Sequence, residues 1–477
     1  MRTDERHESC RLPAHGLPLT AFEEHMLLDD RPSHPMVIVA RYDFSGPSPP
    51  DTLEAAFDSV VRDEPLLSAR IRSGRFGRPR WMPGPPPKLQ RSLVPEEADR
   101  SPTGNGPLPA IDPRRDPPLE ARLLTRPGGW SIVIAVHHAA CDGLGLMGFM
   151  ERWFLAAAAK AGRRRRPHAD AMAALRSRSR VAGSWIDFVR MLPRLKVGLE
   201  GVQQYVARSV IRLDRPEAAP AAQPASTRLE AGPWEPRIVS AVLEPEDLRG
   251  LERRARAAGA MVNDLLIAAM ITAVAQGVED RGQGQDDPWI RIGVPMSLRT
   301  KSDHVLPAAN RVSMVFIDRQ PAASTDHEDL VAGIHDEMEL IRSHALGHIF
   351  PLSLEVGRLL PGGLRRTTES PKAQSTAVLS NLGRCFHRSP LADGDDCIRI
   401  GDSQLDGWWM VPPVRPGTAF ALATHETSGR RTLALQADPA AASEADAAAL
   451  LERMVVALRE RFAAPADEGS PKQWQAS

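Results

Sequence analysis

The stretch Ser131–Met150, SIVIAVHHAACDGLGLMGFM, joins an apolar run to two adjacent histidines, an Asp-Gly and a helix start. The run is rich in β-branched residues and predicts a buried strand. An imidazole at the end of a core strand costs free energy unless it finds partners. Successive strand residues point to opposite faces. His137 and His138 therefore meet different surroundings, and one of them faces any open site beside the strand. The residues alone leave four readings. The histidines end a strand and do nothing else; or His137, His138 and Asp142 hold a metal ion; or Cys141 is a nucleophilic thiol; or one histidine is a general acid–base. Strand alternation works against a shared metal ion, and no further His/Cys cluster lies nearby in sequence. The small apolar neighbours of Cys141 favour a filler role. An imidazole titrates near neutrality, so a single histidine facing a cleft suffices for proton transfer. Gly143 supplies backbone freedom where the chain turns into the helix.

At 477 residues the chain is too long for one ordinary core, and two domains are expected. An apolar content of 42% and a charged content of 25% are those of a soluble globular protein. Lys plus Arg equal Asp plus Glu at 60 each, so no global attraction to nucleic acid follows. The four cysteines, Cys10, Cys141, Cys385 and Cys397, form no C-x-x-C or zinc spacing, which favours a reducing, cytoplasmic setting. The start MRTDERHESCRLP has no apolar core of a signal peptide. DLLIAAMITAVAQGV reads as too short to span a bilayer.

Residues 1–16 read as disordered. Met36–Phe44 reads as a strand, and Leu53, Ala56, Phe57, Val60 and Val61 recur at helical spacing. Residues 83–118 are Pro-rich and read mostly as loop. EARLLTR, a Pro-Gly-Gly turn and WSIVIAVHH read as a hairpin. From Lys160 to Arg215 there are fourteen Lys/Arg against four Asp/Glu. This basic arm ends in SWIDFVRMLPRLKVGLEGVQQYVARSVIRL, read as helical and amphipathic with a proline interruption. It is open to three uses: a solvated face, peripheral contact with an anionic membrane, or docking of an acidic carrier protein or CoA phosphates. Aromatic interleaving is too sparse for nucleic acid. Residues 216–236, rich in Pro and Ala, read as a linker. Beyond it come RIVSAVLE as a strand, PEDLRGLERRARA as a helix broken at Gly259, and a longer helix capped near Asn263. WIRIGVPMSL, NRVSMVFID, STAVLSNLG, IRIGDSQLDGWWMV, TAFALATHET and RTLALQAD read as strands. HEDLVAGIHDEMELIRSHAL and SEADAAALLERMVVALRERFA read as helices. The expected division is 17–215, linker 216–236, 237–465 and a disordered tail 466–477.

The heptad His137-His138-Ala139-Ala140-Cys141-Asp142-Gly143 resembles the HHxxxDG signature of the CoA-dependent acyltransferase superfamily. That superfamily includes chloramphenicol acetyltransferase, peptide-synthetase condensation domains and wax ester synthase/diacylglycerol acyltransferases. Other segments resemble it in order: a charged residue before the PLL at Pro65–Leu67, the helix AMVNDLLIAAMITAV, GVPMSLR ending on Arg299, Asn310 after that strand, and VLSNLGR. The resemblance implies an α/β (α+β) fold of two chloramphenicol-acetyltransferase-like halves. Each half would be a mixed sheet with helices, and the two would meet in a V around a tunnel.

It implies His138 as the general base, with an acyl-CoA or acyl-carrier-protein thioester as donor substrate, a small-molecule or lipid alcohol or amine as acceptor, and no other cofactor. It makes Asp142 a structural residue paired with Arg299, and gives Gly143 the task of keeping the tunnel open. Ser380 and Asn381 become candidates for stabilising the oxyanion. A hydroxyl acceptor is expected before an amine, because no carrier or adenylation domain is attached. A peptide-synthetase-like condensation protein and a non-catalytic binding protein are the alternatives. The plant DFGWG motif and the early PLW of the wax synthases are missing. QLDGWWMVP stands in place of the former, leaving Trp408 and Trp409 as lining or packing residues.

Overall fold

The computed structural model describes residues 12–47, 49, 51–73, 77–94, 102–103, 106–159, 168–179, 201, 203–213, 233–282, 288–324, 326–369, 373–393 and 397–461. Two six-stranded mixed sheets carry the molecule, each covered by helices. The N-terminal sheet has the order β12-β13-β2-β7-β6-β5, with β2 Val37–Ser45, β5 Leu89–Leu93, β6 Leu119–Arg126 and β7 Gly129–His137. Its remaining strands are β12 Arg399–Ile400 and β13 Ser403–Val411. The C-terminal sheet has the order β10-β9-β11-β14-β15-β8. Its strands are β8 Ile238–Leu243, β9 Ile290–Ser297, β10 Val312–Arg319, β11 Ala377–Arg384, β14 Phe420–Thr427 and β15 Arg430–Ala437. A small third sheet joins β1 Leu17–Pro18, β4 Arg80–Pro83 and β3 Ala69–Arg72.

The SIVIAVHH run explains the position of β7. All nine of its residues are buried, which requires cover on both faces and a central place in the sheet. It pairs antiparallel with β6 across the expected turn and with β2 on its other edge, Val37 lying opposite His137. One face packs under helices α1 Ala21–Asp29, α2 Thr52–Val61 and α3 Gly143–Ala157. The other carries Val37, Val39, Val133, Ala135 and Val411 of this sheet, which cluster with Ala434 of β15. Helix α4, His168–Ser177, follows α3. The second half packs α5 Pro245–Ala257, α6 Val262–Asp280, α7 His327–Ser343 and α10 Glu444–Val456 on its sheet. Between them in sequence come α8 Ile349–Leu359 and α9 Gly363–Thr368, which pack on α1.

Several expectations need correction. The division at 237–465 fails for residues 399–411, because β13 pairs antiparallel with β2 and completes the N-terminal sheet. Without it the β2 edge would present unpaired backbone groups. Residues 12–16, expected to be disordered, are held: Leu12 is buried and the Gly16 N–H donates to the Pro13 carbonyl. Residues 1–11 and 462–477 lie outside the described residues. Most of the basic arm and of the linker lie outside them too. Of its described part, residues 203–207 are helical, as expected, and largely exposed, whereas 210–213 are not helical: Val210 bridges to Trp289, and Ile211 and Leu213 are buried. Helix α6 starts after Met261, whose N–H the Asp264 carboxylate accepts; Asn263 lies inside the helix. At 19 residues α6 is long and apolar enough to cross a membrane, contrary to the reading of its sequence, yet it is buried within the second core.

Trp130 of β7 ties the exchanged strand to the core. Its ring stacks on Phe44 with centroids 3.9 Å apart, and its indole N–H donates to the Ser403 hydroxyl of β13 at 2.9 Å. Trp130→Ala is expected to cost about 3–5 kcal/mol, read as a lower midpoint in chemical denaturation. An unchanged midpoint would show that β13 is held by other contacts.

Candidate active site

The ladder between β2 and β7 ends by delivering both histidines. The His138 N–H donates to the Met36 carbonyl at 2.7 Å and the His137 N–H to the Pro118 carbonyl at 2.8 Å. The side chains then diverge, as alternation requires. His137 is fully buried; its Nδ1 accepts the Ala139 N–H at 3.1 Å, and its Nε2 lies 3.6 Å from Asp30. It is a structural member of the turn. His138 is partly exposed and lines a cleft with Asp142, Gly143, Arg299, Ser380 and Asn381.

Asp142 closes the loop. It caps α3, its Oδ1 accepting the Gly145 N–H at 2.8 Å. Arg299, two residues beyond β9, donates to both carboxylate oxygens at 2.8 Å, and the Arg311 backbone N–H adds a fourth bond at 2.7 Å. Burial alone would push this carboxyl up. The Arg299 charge and these bonds outweigh it and hold the carboxyl below its ordinary value. Arg299 also donates to the Ala309 carbonyl at 3.0 Å. Asn310 then clamps the loop from above, its Nδ2 donating to the carbonyls of His138 and Ala139 at 2.8 Å each. Glu64, the charged residue before Pro65-Leu66-Leu67, is buried and accepts the Ala308 N–H while paired with Arg152. Residues 308–311 are thus fastened at both ends, to Glu64 at Ala308 and to the loop at Asn310 and Arg311. Arg311 and Gly145 carry no sequence signal that would have singled them out. The first acts through its backbone, the second because a Cβ there would lie 3.0 Å from the Ala309 carbonyl oxygen.

The cleft has about 620 Å³ of empty space open to solvent. Beside the polar groups its walls are Ile38, Leu144, Pro295, Leu382 and Met410. A Cβ on Gly143 would meet Leu382 at 3.0 Å and Met410 at 3.4 Å, so the absent side chain is what lets the helix start approach the second half. Trp408 does not line the cleft. It is buried between Tyr42 and His425, stacked on both, and donates its indole N–H to Thr427 at 3.0 Å. Trp409 packs on the opposite core face. Asn381 spends its amide on Asn263, 3.1 Å away, and on the Gly383 N–H at 3.0 Å.

On the far side of His138 the Phe22 ring stands edge-on, with centroids 5.8 Å apart. The His138 Nδ1 atom is buried, so Nε2 is the nitrogen left to the open space. Burial lowers this imidazole below the ordinary 6.5, against the opposing pull of its own backbone carbonyl and of Asp142. Cys141 is fully buried and burial pushes its thiol well up, which keeps it protonated and removes the nucleophile reading. Among the described residues no three His, Cys, Asp or Glu side chains gather to hold a metal ion.

Residues 125–266 match the family described as the wax ester synthase/diacylglycerol acyltransferase catalytic domain. A search of curated proteins returns no match. Among solved structures, the first condensation domain of the CDA synthetase superposes with a TM-score of 0.62 at 17% identity, covering 95% of this chain and 97% of that one. The condensation domain of Monacolin K polyketide synthase gives 0.63 at 14% identity, covering 94% and 97%. The starter condensation domain of rhizomide synthetase, solved with C8-CoA and Leu-SNAC, gives 0.59 at 14%, covering 93% of each chain. The fold is therefore that of the condensation domains. Family match and fold agree with the CoA-dependent acyltransferase superfamily that the HHxxxDG heptad resembles.

Breaking the Asp142–Arg299 pair strands a charge in a closed site. Arg299→Ala, which leaves the buried Asp142 carboxylate without its counter-charge, is expected to destabilise the protein by about 3–5 kcal/mol, and Asp142→Ala by less because the guanidinium left behind keeps some solvent contact. Unfolding curves of the two single variants and the double variant check this. Additive losses would show that the two groups act independently.

Proposed function

We propose that the protein is an acyltransferase that moves an acyl group from a thioester to a hydroxyl, with His138 as general base. The observation that carries this reading is the placement of His138: one ring nitrogen is buried, the other faces a cleft with apolar walls, and the backbone on both sides is pinned. The donor is an acyl thioester of CoA or of a carrier protein, acting as substrate. Its acyl chain fits the walls formed by Ile38, Leu144, Leu382 and Met410.

The His138 Nε2 accepts the proton of the acceptor O–H as that oxygen bonds to the thioester carbon. The carbonyl π electrons pass to oxygen. The oxyanion then collapses, the C–S bond breaks, and the thiolate leaves with the proton returned by the imidazolium. No covalent acyl-enzyme is needed. With the Asn381 amide engaged by Asn263 and Gly383, the Ser380 hydroxyl is the better donor to the oxyanion. Asp142 and Arg299 hold the loop that carries the imidazole and need not touch substrate. The match to the wax ester synthase family favours an ester product; the likeness to condensation domains favours an amide.

His138→Ala is expected to lower transfer by about 10²–10⁴-fold with the fold intact. Thiol release from acyl-CoAs of graded length, with alcohol and amine acceptors, measures this and reads the product type. Acceptor-dependent release that survives the substitution would overturn the general-base role. A base must be neutral to act, and His138 is held below 6.5. The rate should therefore stay flat at pH 7 and fall on the acid side with a midpoint below 6.5. A midpoint above it would mean that another group sets the limb.

A further inference from the structure

A second hollow lies against Phe22 and Asn310, the two side chains that touch His138 from the side away from the cleft. Its inner part, with about 420 Å³ of empty space, is lined by Thr20, Phe22, Asn310 and Val312, and Val312 is also a wall of the apolar cleft. Thr20, Arg178, Ser179 and Glu355 continue outward into a wider vestibule of about 770 Å³. Five arginines line that vestibule, Arg78, Arg80, Arg176, Arg178 and Arg358, against one carboxylate, Glu355.

These guanidiniums are not equivalent. Arg178 is spent on the buried Glu23, at 2.7 and 2.8 Å, and Arg358 pairs with Glu355 and approaches Glu24 at 3.9 Å. Arg80 is aimed by backbone only, donating to the carbonyls of His15 at 2.6 Å and Gly16 at 2.9 Å. Arg78 and Arg176 are exposed. Among the described residues no carboxylate makes an ion pair with Arg78, Arg80 or Arg176; the field of Arg78 reaches Glu24 without contact. Two exposed guanidiniums with no carboxylate partner among the described residues, beside the Arg80 charge whose Nε and one Nη are given to backbone carbonyls, suit a group with several negative charges and tetrahedrally disposed oxygens. A carboxylate would saturate one fork, whereas a phosphate or pyrophosphate engages several.

We infer that this vestibule is a phosphate-binding site, and that a substrate reaching His138 from this side carries a phosphate or pyrophosphate group. The inference rests on the acyltransferase reading for its link to His138. Two sources share the chemistry: the phosphates of a CoA-type thioester, and a phosphorylated alcohol acceptor. In either case the apolar cleft on the other side takes the acyl chain, and the charged end stays in the arginine-lined mouth.

Calorimetric titration of the full chain at low salt, first with inorganic pyrophosphate, tests the site without relying on turnover. Coenzyme A against pantetheine, and glycerol 3-phosphate against glycerol, then separate the two sources. The Arg78→Ala/Arg176→Ala double variant changes two exposed side chains, and its thermal unfolding verifies the fold. Phosphate-bearing probes are expected to bind the wild type and to lose at least about tenfold in the variant, with pantetheine and glycerol indifferent to it. Tighter coenzyme A points to the donor and tighter glycerol 3-phosphate to the acceptor. Failure of every phosphate probe to bind, or equal binding by the variant, overturns the site. His138→Ala keeps the two readings apart: it should bind phosphate normally while losing transfer. If it transfers normally, the base assignment falls and the phosphate site stands.

Discussion

The Asp142 carboxylate is the constraint on which the rest of the site depends. It receives four donors from three places in the chain: the start of α3, the Arg299 fork and the Arg311 backbone. Two of these belong to the second half of the molecule. A charge so deeply withdrawn from water is tolerable only when every lone pair is used. The same bonds that make its burial possible therefore join the halves beside His138. Asn310 and Glu64 extend the junction, one to the His138 carbonyl and one to the Ala308 N–H. The imidazole inherits its orientation from this junction and needs no carboxylate partner of its own.

The surroundings of His138 are divided by polarity. On one side lie aliphatic and thioether walls, on the other an arginine-lined mouth reached past Phe22 and Asn310. The proposed reaction, which would join an apolar acyl chain to a charged molecule, calls for its base at such a boundary. The low dielectric on the apolar side keeps the imidazole neutral near pH 7. The charge on the far side focuses anionic molecules toward the mouth. The orientation of His138 and the division of its surroundings thus come from one feature, the placement of the β7 end.

Much of this was legible residue by residue. The strand ending in His137-His138 and the hairpin before it follow from the β-branched run and the Pro-Gly-Gly turn. Asp142 as the partner of Arg299, and the charge before Pro65-Leu66-Leu67, were marked by the resemblance of their motifs rather than by local pattern. What was not legible involves pairing between distant segments. SQLDGWWMV reads as a strand, but nothing in it says that it lies on β2, because edge complementarity is a property of the sheet and not of the strand. Arg311 acts through a main-chain N–H that every residue but proline possesses. Arg176 and Arg178 look alike in the basic arm, yet one turns inward to Glu23 and the other faces the vestibule.

By itself the sequence determined the class of fold and the chemical types at the centre, since hydrophobic period and a rare spacing of His, Asp and Gly are local properties. Tertiary structure decided which histidine faces open space, which arginines are already spent, where the exchanged strand lies, and what separates the apolar cleft from the cationic mouth. Those outcomes depend on distances between residues hundreds of positions apart, and electrostatic and packing energies are set by such distances rather than by order along the chain.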